Sequence, residues 1–258
     1  MFINGQLAKL GKNKAVIDHR TLRMAKYVTS VLPPPPAEVS WITKLKAAEQ
    51  LPMYLNDKLG DCVIAAAAHM IQQWNFYAGH PAQPSDTDVL AGYCAVGGYQ
   101  PGNPSTDTGT DMLAFLKYWR SSGLGGHKIG AFLAVDPTNL VEVRQAINLF
   151  GNLYIGVQLP VSAQGQNAWT VPNGGINSDA GSPGGWGGHC IPLVASSPET
   201  HTCVTWGASL KMSHNFLSDY CDEAFAVLSR DWINQRGISP QGFDFNQLSA
   251  DLAALASN

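Results

Sequence analysis

The stretch LGDCVIAAAAHM, residues 59–70, joins a glycine-containing turn to an alanine-rich run and places a cysteine at the junction. Alanine is the strongest helix former and aspartate is a favoured N-cap, so a helix is predicted to begin at about Cys62, directly after Asp61. The unpaired N–H groups and the dipole of a helix start stabilise a thiolate. A structural, buried cysteine is the alternative, and the local sequence alone favours it, because free cysteine is among the most buried residue types. The rest of the chain has to decide between the two.

Composition bounds the class of protein. The chain has 258 residues, of which 45% are hydrophobic and 14% charged, as expected for a soluble globular protein with a sizeable core. No apolar run is long enough for a membrane span, and the first sixteen residues lack the apolar stretch of a secretory signal, so we expect a cytoplasmic location. The five cysteines form no CxxC pair, which predicts free thiols, no metal site and no cofactor.

Charge is unevenly distributed along the chain. Residues 1–58 contain nine Lys or Arg and four Asp or Glu. Residues 59–258 contain seven Lys or Arg and fifteen Asp or Glu. We therefore expect a basic N-terminal arm that packs on an acidic body, and that would inhibit the protein if it crossed an active-site cleft. Nucleic-acid binding is not expected, because the basic residues are scattered and no aromatic platform accompanies them.

Periodicity and turn residues divide the chain. The arm and a stiff polyproline linker occupy residues 1–35, and a single domain occupies residues 36–258. Helices are predicted over residues 62–79, 85–96, 111–123, 139–151 and 246–258. Strands are predicted over residues 152–160, 189–197, 200–207 and 222–229, and the glycine-rich residues 173–188 are predicted to be irregular. This is an α+β plan with a helical lobe at about 50–150, a strand-rich lobe at about 151–235 and a C-terminal extension at 236–258.

A cysteine nucleophile requires a base and donors for the developing oxyanion. His189 is the leading candidate base, because it follows GGWGG, residues 184–188, and begins a predicted strand. His69 lies two helical turns from Cys62, roughly 10 Å along the axis, and is predicted to be packed rather than catalytic.

Five segments, in order, resemble the papain-like cysteine peptidases between about residues 34 and 230. They are PPAEVSWITK (35–44), NDKLGDC (56–62), EVRQAINLFGNLYIGVQLP (142–160), GGHCIPLVAS (187–196) and VTWG (204–207). The resemblance implies a two-lobed fold in which Cys62 is the nucleophile and His189 is its base. Asn56 stands six residues before Cys62, where that family carries an oxyanion-stabilising glutamine.

The resemblance also implies roles for the residues around this pair. Trp206 corresponds to the tryptophan that shields the histidine's orienting bond, with Thr205 beside it. Four residues are expected to line the substrate cleft: Asp61, Trp186, Gly187 and Gly188.

Two departures from the family pattern stand out. The asparagine that holds the histidine in its productive tautomer is replaced by Val204, and Thr205 is expected to face the other way on its strand. Asp179, Asn215 or a backbone carbonyl is therefore expected to orient His189. The charge of Asp61 is expected to raise the pKa of the Cys62 thiol unless its carboxylate caps the helix.

Two functions remain open from the sequence. The first is a thiol hydrolase that cleaves peptide or isopeptide bonds in a peptide or protein substrate. The second is a catalytically weak papain-like protein with a structural or binding role, because the chain also looks similar to papain-like proteins of bacteria and phages. That role includes a phage virion or assembly component, with self-assembly or a virion partner.

Overall fold

The computed structural model describes residues 2–3, 6–29, 32–47, 51–229, 232 and 243–256. The α-helices are α1 (Thr43–Ala47), α2 (Cys62–Ala78), α3 (Asp86–Gly97), α4 (Met112–Ser121), α5 (Leu140–Phe150), α6 (His214–Tyr220) and α7 (Phe245–Ala256). Short 3₁₀ helices span Met24–Lys26, Pro104–Thr106, Val161–Gly165 and Gly175–Asn177. The strands are β1 (Phe2–Ile3), β2 (Gln6–Leu7), β3 (Val39–Ser40), β4 (Ile129–Ala134), β5 (Leu153–Leu159), β6 (Ala168–Trp169), β7 (Gly187–Ser196), β8 (Thr200–Thr205), β9 (Ala208–Ser213) and β10 (Cys221–Ser229).

One eight-stranded sheet organises the domain, in the order β4-β10-β5-β7-β8-β9-β6, with β3 paired to β7. Every pairing in it is antiparallel except that of β6 with β9. Side chains alternate between the two faces of each strand. Tyr154 and Cys190 therefore join the apolar cluster under α2, α3 and α4, whereas Ile155 and Ile191 join the cluster under α5 and α6. These contacts give the expected α+β class.

The main predicted elements are present with small shifts. The helix that starts at Cys62 ends where Gly79 adopts the left-handed conformation (φ 83°), as expected for a glycine C-cap. Ser85 caps α3 through a reciprocal bond with Asp88. Strand β7 begins at Gly187, so the prediction that residues up to 188 are irregular is wrong at its end.

The elements β4, β9 and α6 were not predicted, and neither were the short elements α1, β1, β2, β3 and β6. Strand β4 lies inside the predicted helical lobe yet pairs with β10 in the common sheet, while the lobe boundaries themselves remain predictions. His201 lies on β8, fully buried, with its ring 4.5 Å from that of His214 and near Arg144. Among the described residues, no helix has the length and apolar character that a membrane crossing requires.

Candidate active site

The nucleophile candidate lies at the start of a buried helix. Cys62 is the first residue of α2, and its side chain is 1% exposed. The main-chain oxygen of Asp61 accepts the first helical bonds, from the N–H groups of Ile64 and Ala65. Asp61 occupies the predicted N-cap position, but its side chain makes no capping bond. Burial raises the pKa of its carboxyl well above the usual range, which favours the uncharged acid beside Cys62.

The base candidate is held by two neighbours. The buried His189 side chain projects from β7, and its Nε2 lies 2.7 Å from Oγ1 of Thr205. The indole of Trp206 stacks on the imidazole, with 4.2 Å between ring centroids and 11° between planes. Nδ1 has no hydrogen-bond partner among the described residues. One nitrogen of the ring is therefore fixed by a hydroxyl, and the other is available for a proton.

Thr205, rather than Asp179 or Asn215, orients the ring, and this corrects the expectation that Thr205 faces away. Val204 instead belongs to the apolar cluster that contains Ile42 and Leu45. The reason is a register shift of one residue between β7 and β8, at Leu193 to Ala195. A one-residue shift exchanges the side chains that face a given side of the sheet.

The turn after Thr205 places the shielding indole. Trp206 and Gly207 join β8 to β9 with φ values of 45° and 70°, the arrangement of a two-residue type I′ hairpin. Among the described residues, the other non-glycine residues with positive φ are Tyr54 and Leu55, in the turn before Cys62. Non-glycine residues in this region cost about 1–3 kcal/mol each and cluster at functional sites. No local sequence signal predicted a positive φ at these three positions.

Asn56 lies in that same strained turn. It is 3% exposed, and its Nδ2 donates to the Leu59 carbonyl at 3.1 Å. Asn56, Cys62, Thr205 and Trp206 all line one small cavity of about 10 Å³. Four residues predicted from the sequence therefore line one cavity, together with Cys190 and Val204, while the pairing of Cys62 with His189 and the role of Asn56 as an oxyanion donor remain predictions.

The N-terminal arm crosses this site. We call residues 8–13 the strap. Four hydrogen bonds hold its main chain: Lys12 N–H to Gly188 O (3.1 Å), Asn13 N–H to Thr110 O (3.0 Å), Thr110 N–H to Gly11 O (2.7 Å) and Trp206 Nε1–H to Lys9 O (3.0 Å). The strap therefore bonds both to the loop before α4 and to the strand that carries His189.

Glycine permits this close approach at Gly188. A Cβ atom there would overlap the carbonyl oxygen of Lys12, so any larger residue would displace the strap. Beside it, Gly187 lies against the side chain of Leu10, and Trp186 stacks on Trp206 at 5.7 Å. The predicted cleft residues of this segment therefore lie along the strap.

Burial governs the charges of Cys62 and His189. It raises the pKa of the Cys62 thiol to about 12, although the N–H groups of Cys190 and Gly11 oppose the rise. It also lowers the pKa of His189 to about 3. With the strap in place, thiol and imidazole are therefore both uncharged at neutral pH.

The architecture matches solved cysteine proteases. Xylellain, a cysteine protease from Xylella fastidiosa, superposes with a TM-score of 0.65 at 14% identity over 86% of this chain and 96% of its own. Digestive procathepsin L 3 of Tenebrio molitor has a TM-score of 0.56 at 12% sequence identity, over 86% of this chain and 76% of its own. Procathepsin B S9 from Trypanosoma congolense has a TM-score of 0.55 at 11% sequence identity, over 86% of this chain and 87% of its own. The chain has the papain-like fold. No family model matches the sequence, and a search of curated proteins found no significant match.

In this papain-like fold, the start of α2 and the strand β7 are the two elements that carry Cys62 and His189. Within the described part of the chain, no group of three or more His, Cys, Asp or Glu could hold a metal ion. Cys62 supplies a thiol and His189 an imidazole, which are the two groups that nucleophilic attack by sulfur with proton transfer requires.

Proposed function

We propose that the protein is a cysteine peptidase that cleaves peptide or isopeptide bonds. The observation that carries this proposal is the bond from His189 to Thr205 beneath the Trp206 indole, in a fold where Cys62 begins the central helix. A nucleophile at a helix start, a base and a group that orients the base together form the arrangement of nucleophilic catalysis.

In the proposed reaction, His189 takes the thiol proton at its free Nδ1 while Thr205 holds Nε2. The Cys62 sulfur attacks the substrate carbonyl, and the resulting oxyanion is stabilised by the Cys62 N–H and the Asn56 amide. An amide NH₂ has two donors. One donates to the Leu59 carbonyl, and the other, which interacts with the Asp61 carboxyl in the closed site, would turn to the oxyanion. His189 then protonates the leaving amine, and water hydrolyses the thioester.

The strap keeps this chemistry latent. Because burial is the largest cause of both pKa shifts, opening the strap would hydrate the pair and bring the two pKa values towards each other. The helix dipole would then favour the thiolate and imidazolium. Two of the structural neighbours are named as proenzymes, which supports a latent form for this chain as well.

Selective alkylation tests the proposal. Iodoacetamide at neutral pH, followed by peptide mapping, should modify Cys62 faster in a variant with a loosened strap than in the wild type. The half-exposed Cys94 serves as the internal reference thiol, and its rate should not change. A strap-loosened variant in which Cys62 stays less reactive than Cys94, and in which His189→Ala has no effect, would contradict the proposal.

A structural or binding role is the second candidate. The observation that favours it is the closed site, in which Cys62 and His189 are both buried and uncharged. A virion or assembly role and a cytoplasmic location, both expected from the sequence, remain predictions.

A further inference from the structure

Lys12 is buried in a way that the other strap lysine is not. Its side chain is 0% exposed, whereas that of Lys9 is 50% exposed. The Lys12 ammonium lies 2.9 Å from Asp222 Oδ2 and 3.0 Å from Glu223 Oε1, and it also donates to the Asn13 carbonyl. Lysine is almost never fully buried unless it is paired, so this position is a built site for a cation.

The site is made by the body of the protein and is filled by the arm. We call it the Lys12 socket: Met112 of α4, Gly156 of β5, and Asp222 and Glu223 of β10. A Cβ atom at Gly156 would overlap the Lys12 stem and approach the Met112 sulfur, so glycine opens the path to the carboxylates. The socket thus has an apolar entrance for a methylene chain and two acidic groups at its end.

The socket belongs to the cleft that holds the candidate catalytic pair. The main chain of Lys12 bonds to Gly188, the residue before His189. Beyond the ammonium, the carboxylates border a cavity of about 190 Å³ whose other side is residues 15–19 of the arm. A peptide that replaces the strap would therefore have one side chain directed into this acidic pocket.

Lys12 supplies the counter-charge of the socket: within the described part of the chain, the ion pairs of Asp222 and Glu223 are made with Lys12, while Arg23 lines the cavity beyond them. Glu223 is largely buried, with a side chain 7% exposed, and Gln158 donates to Asp222 but carries no charge. A buried carboxylate requires a cationic partner or a proton, and a lysine or arginine side chain supplies the first.

We infer that the Lys12 socket is a specificity subsite that selects peptide substrates with a lysine or arginine side chain at the position Lys12 now occupies. This inference rests on the proposed peptidase function and names its substrate class. Lys12 would then act as an internal mimic of the substrate side chain.

The test uses the full chain with Lys12→Ala, which empties the socket. The probes are two sets of four tetrapeptidyl epoxides. Each probe of the first set has one lysine, at a different one of the four positions, and alanine at the other three. The second set is identical except that norleucine replaces lysine. At one position, lysine should raise the rate of Cys62 modification by about tenfold or more over norleucine, the scale of a hydrogen-bonded charge. Adding Glu223→Gln should bring that ratio close to one, and adding the exposed-site control Glu199→Gln should leave it unchanged.

The outcomes separate the two proposals. Modification of Cys62 that is equally fast with lysine and norleucine at every position, or a preference that survives Glu223→Gln, would overturn the socket and leave the peptidase standing. Failure of all epoxides to react while iodoacetamide still alkylates Cys62 would overturn both proposals, because the cleft would then accept no peptide.

Discussion

Replacing Lys12 by methionine, which keeps the length of the side chain and removes its charge, should open the strap. Breaking a buried ion pair from one side costs about 3–5 kcal/mol. Here the cost is smaller, because Asp222 is 26% exposed and burial raises the pKa of Glu223 to about 7, so that this carboxyl readily takes up a proton. A loss of about 2 kcal/mol corresponds to a roughly 30-fold rise in the open population, at about 1.4 kcal/mol per tenfold.

The assay is the rate of Cys62 alkylation by iodoacetamide in the full chain. When the strap recloses faster than the thiol reacts, this rate follows the open population. Lys14→Met is the matched control, because Lys14 is exposed on the same arm, and its rate should stay within about twofold of the wild type. Circular dichroism should show that both variants fold. Equal rates for Lys12→Met and the wild type, or an equal acceleration by Lys14→Met, would refute the reasoning.

Three further outcomes are expected. In the Lys12→Met background, Thr205→Val should slow Cys62 modification about 10- to 100-fold, because a buried hydrogen bond to His189 is lost. Thr205→Asn should retain most of the modification rate. Equal rates for the two variants would contradict an orienting role for Thr205. Val204→Asn should lower the free energy of unfolding in urea by roughly 2 kcal/mol without changing the rate, and a faster reaction would restore Val204 as the orienting position. Burial lowers the pKa of His201 to about 3, so the stability that the neutral ring contributes is present above the unfolded pKa of about 6.5 and is lost as pH falls. His201→Phe should therefore reduce the loss of unfolding free energy between pH 7 and 5 by about 2 kcal/mol. An unchanged pH dependence of the unfolding free energy would contradict the burial of His201.

Local physics predicted much of the framework. Alanine-rich periodicity and a glycine stop were sufficient for α2, and the motifs correctly placed Cys62 at a helix start and His189 on a strand. The partner of His189 could not be predicted, because the choice between Val204 and Thr205 depends on a one-residue register shift between β7 and β8. That shift is a property of two strands together.

The position of the arm is a second case. Net charge predicted contact between a basic arm and an acidic body, and the Lys12 pairs with Asp222 and Glu223 are such a contact. Which lysine enters the cleft could not be predicted, because the space for its stem exists only where Gly156 and Met112 meet in the folded sheet and helix. Strands β4 and β9 were missed because tertiary pairing, rather than strong local alternation, defines them.

The strap is covalently joined to the domain whose cleft it fills, and this connection determines how its binding depends on protein concentration. A tethered ligand has an effective concentration in the millimolar range for a short flexible connection, and that value is independent of dilution. The strap of an intact chain would therefore stay bound at any protein concentration, and a free peptide would need comparable concentrations to compete with it. A single break in the chain between the strap and α2 would make the same contacts bimolecular, and dilution alone would then release the cleft.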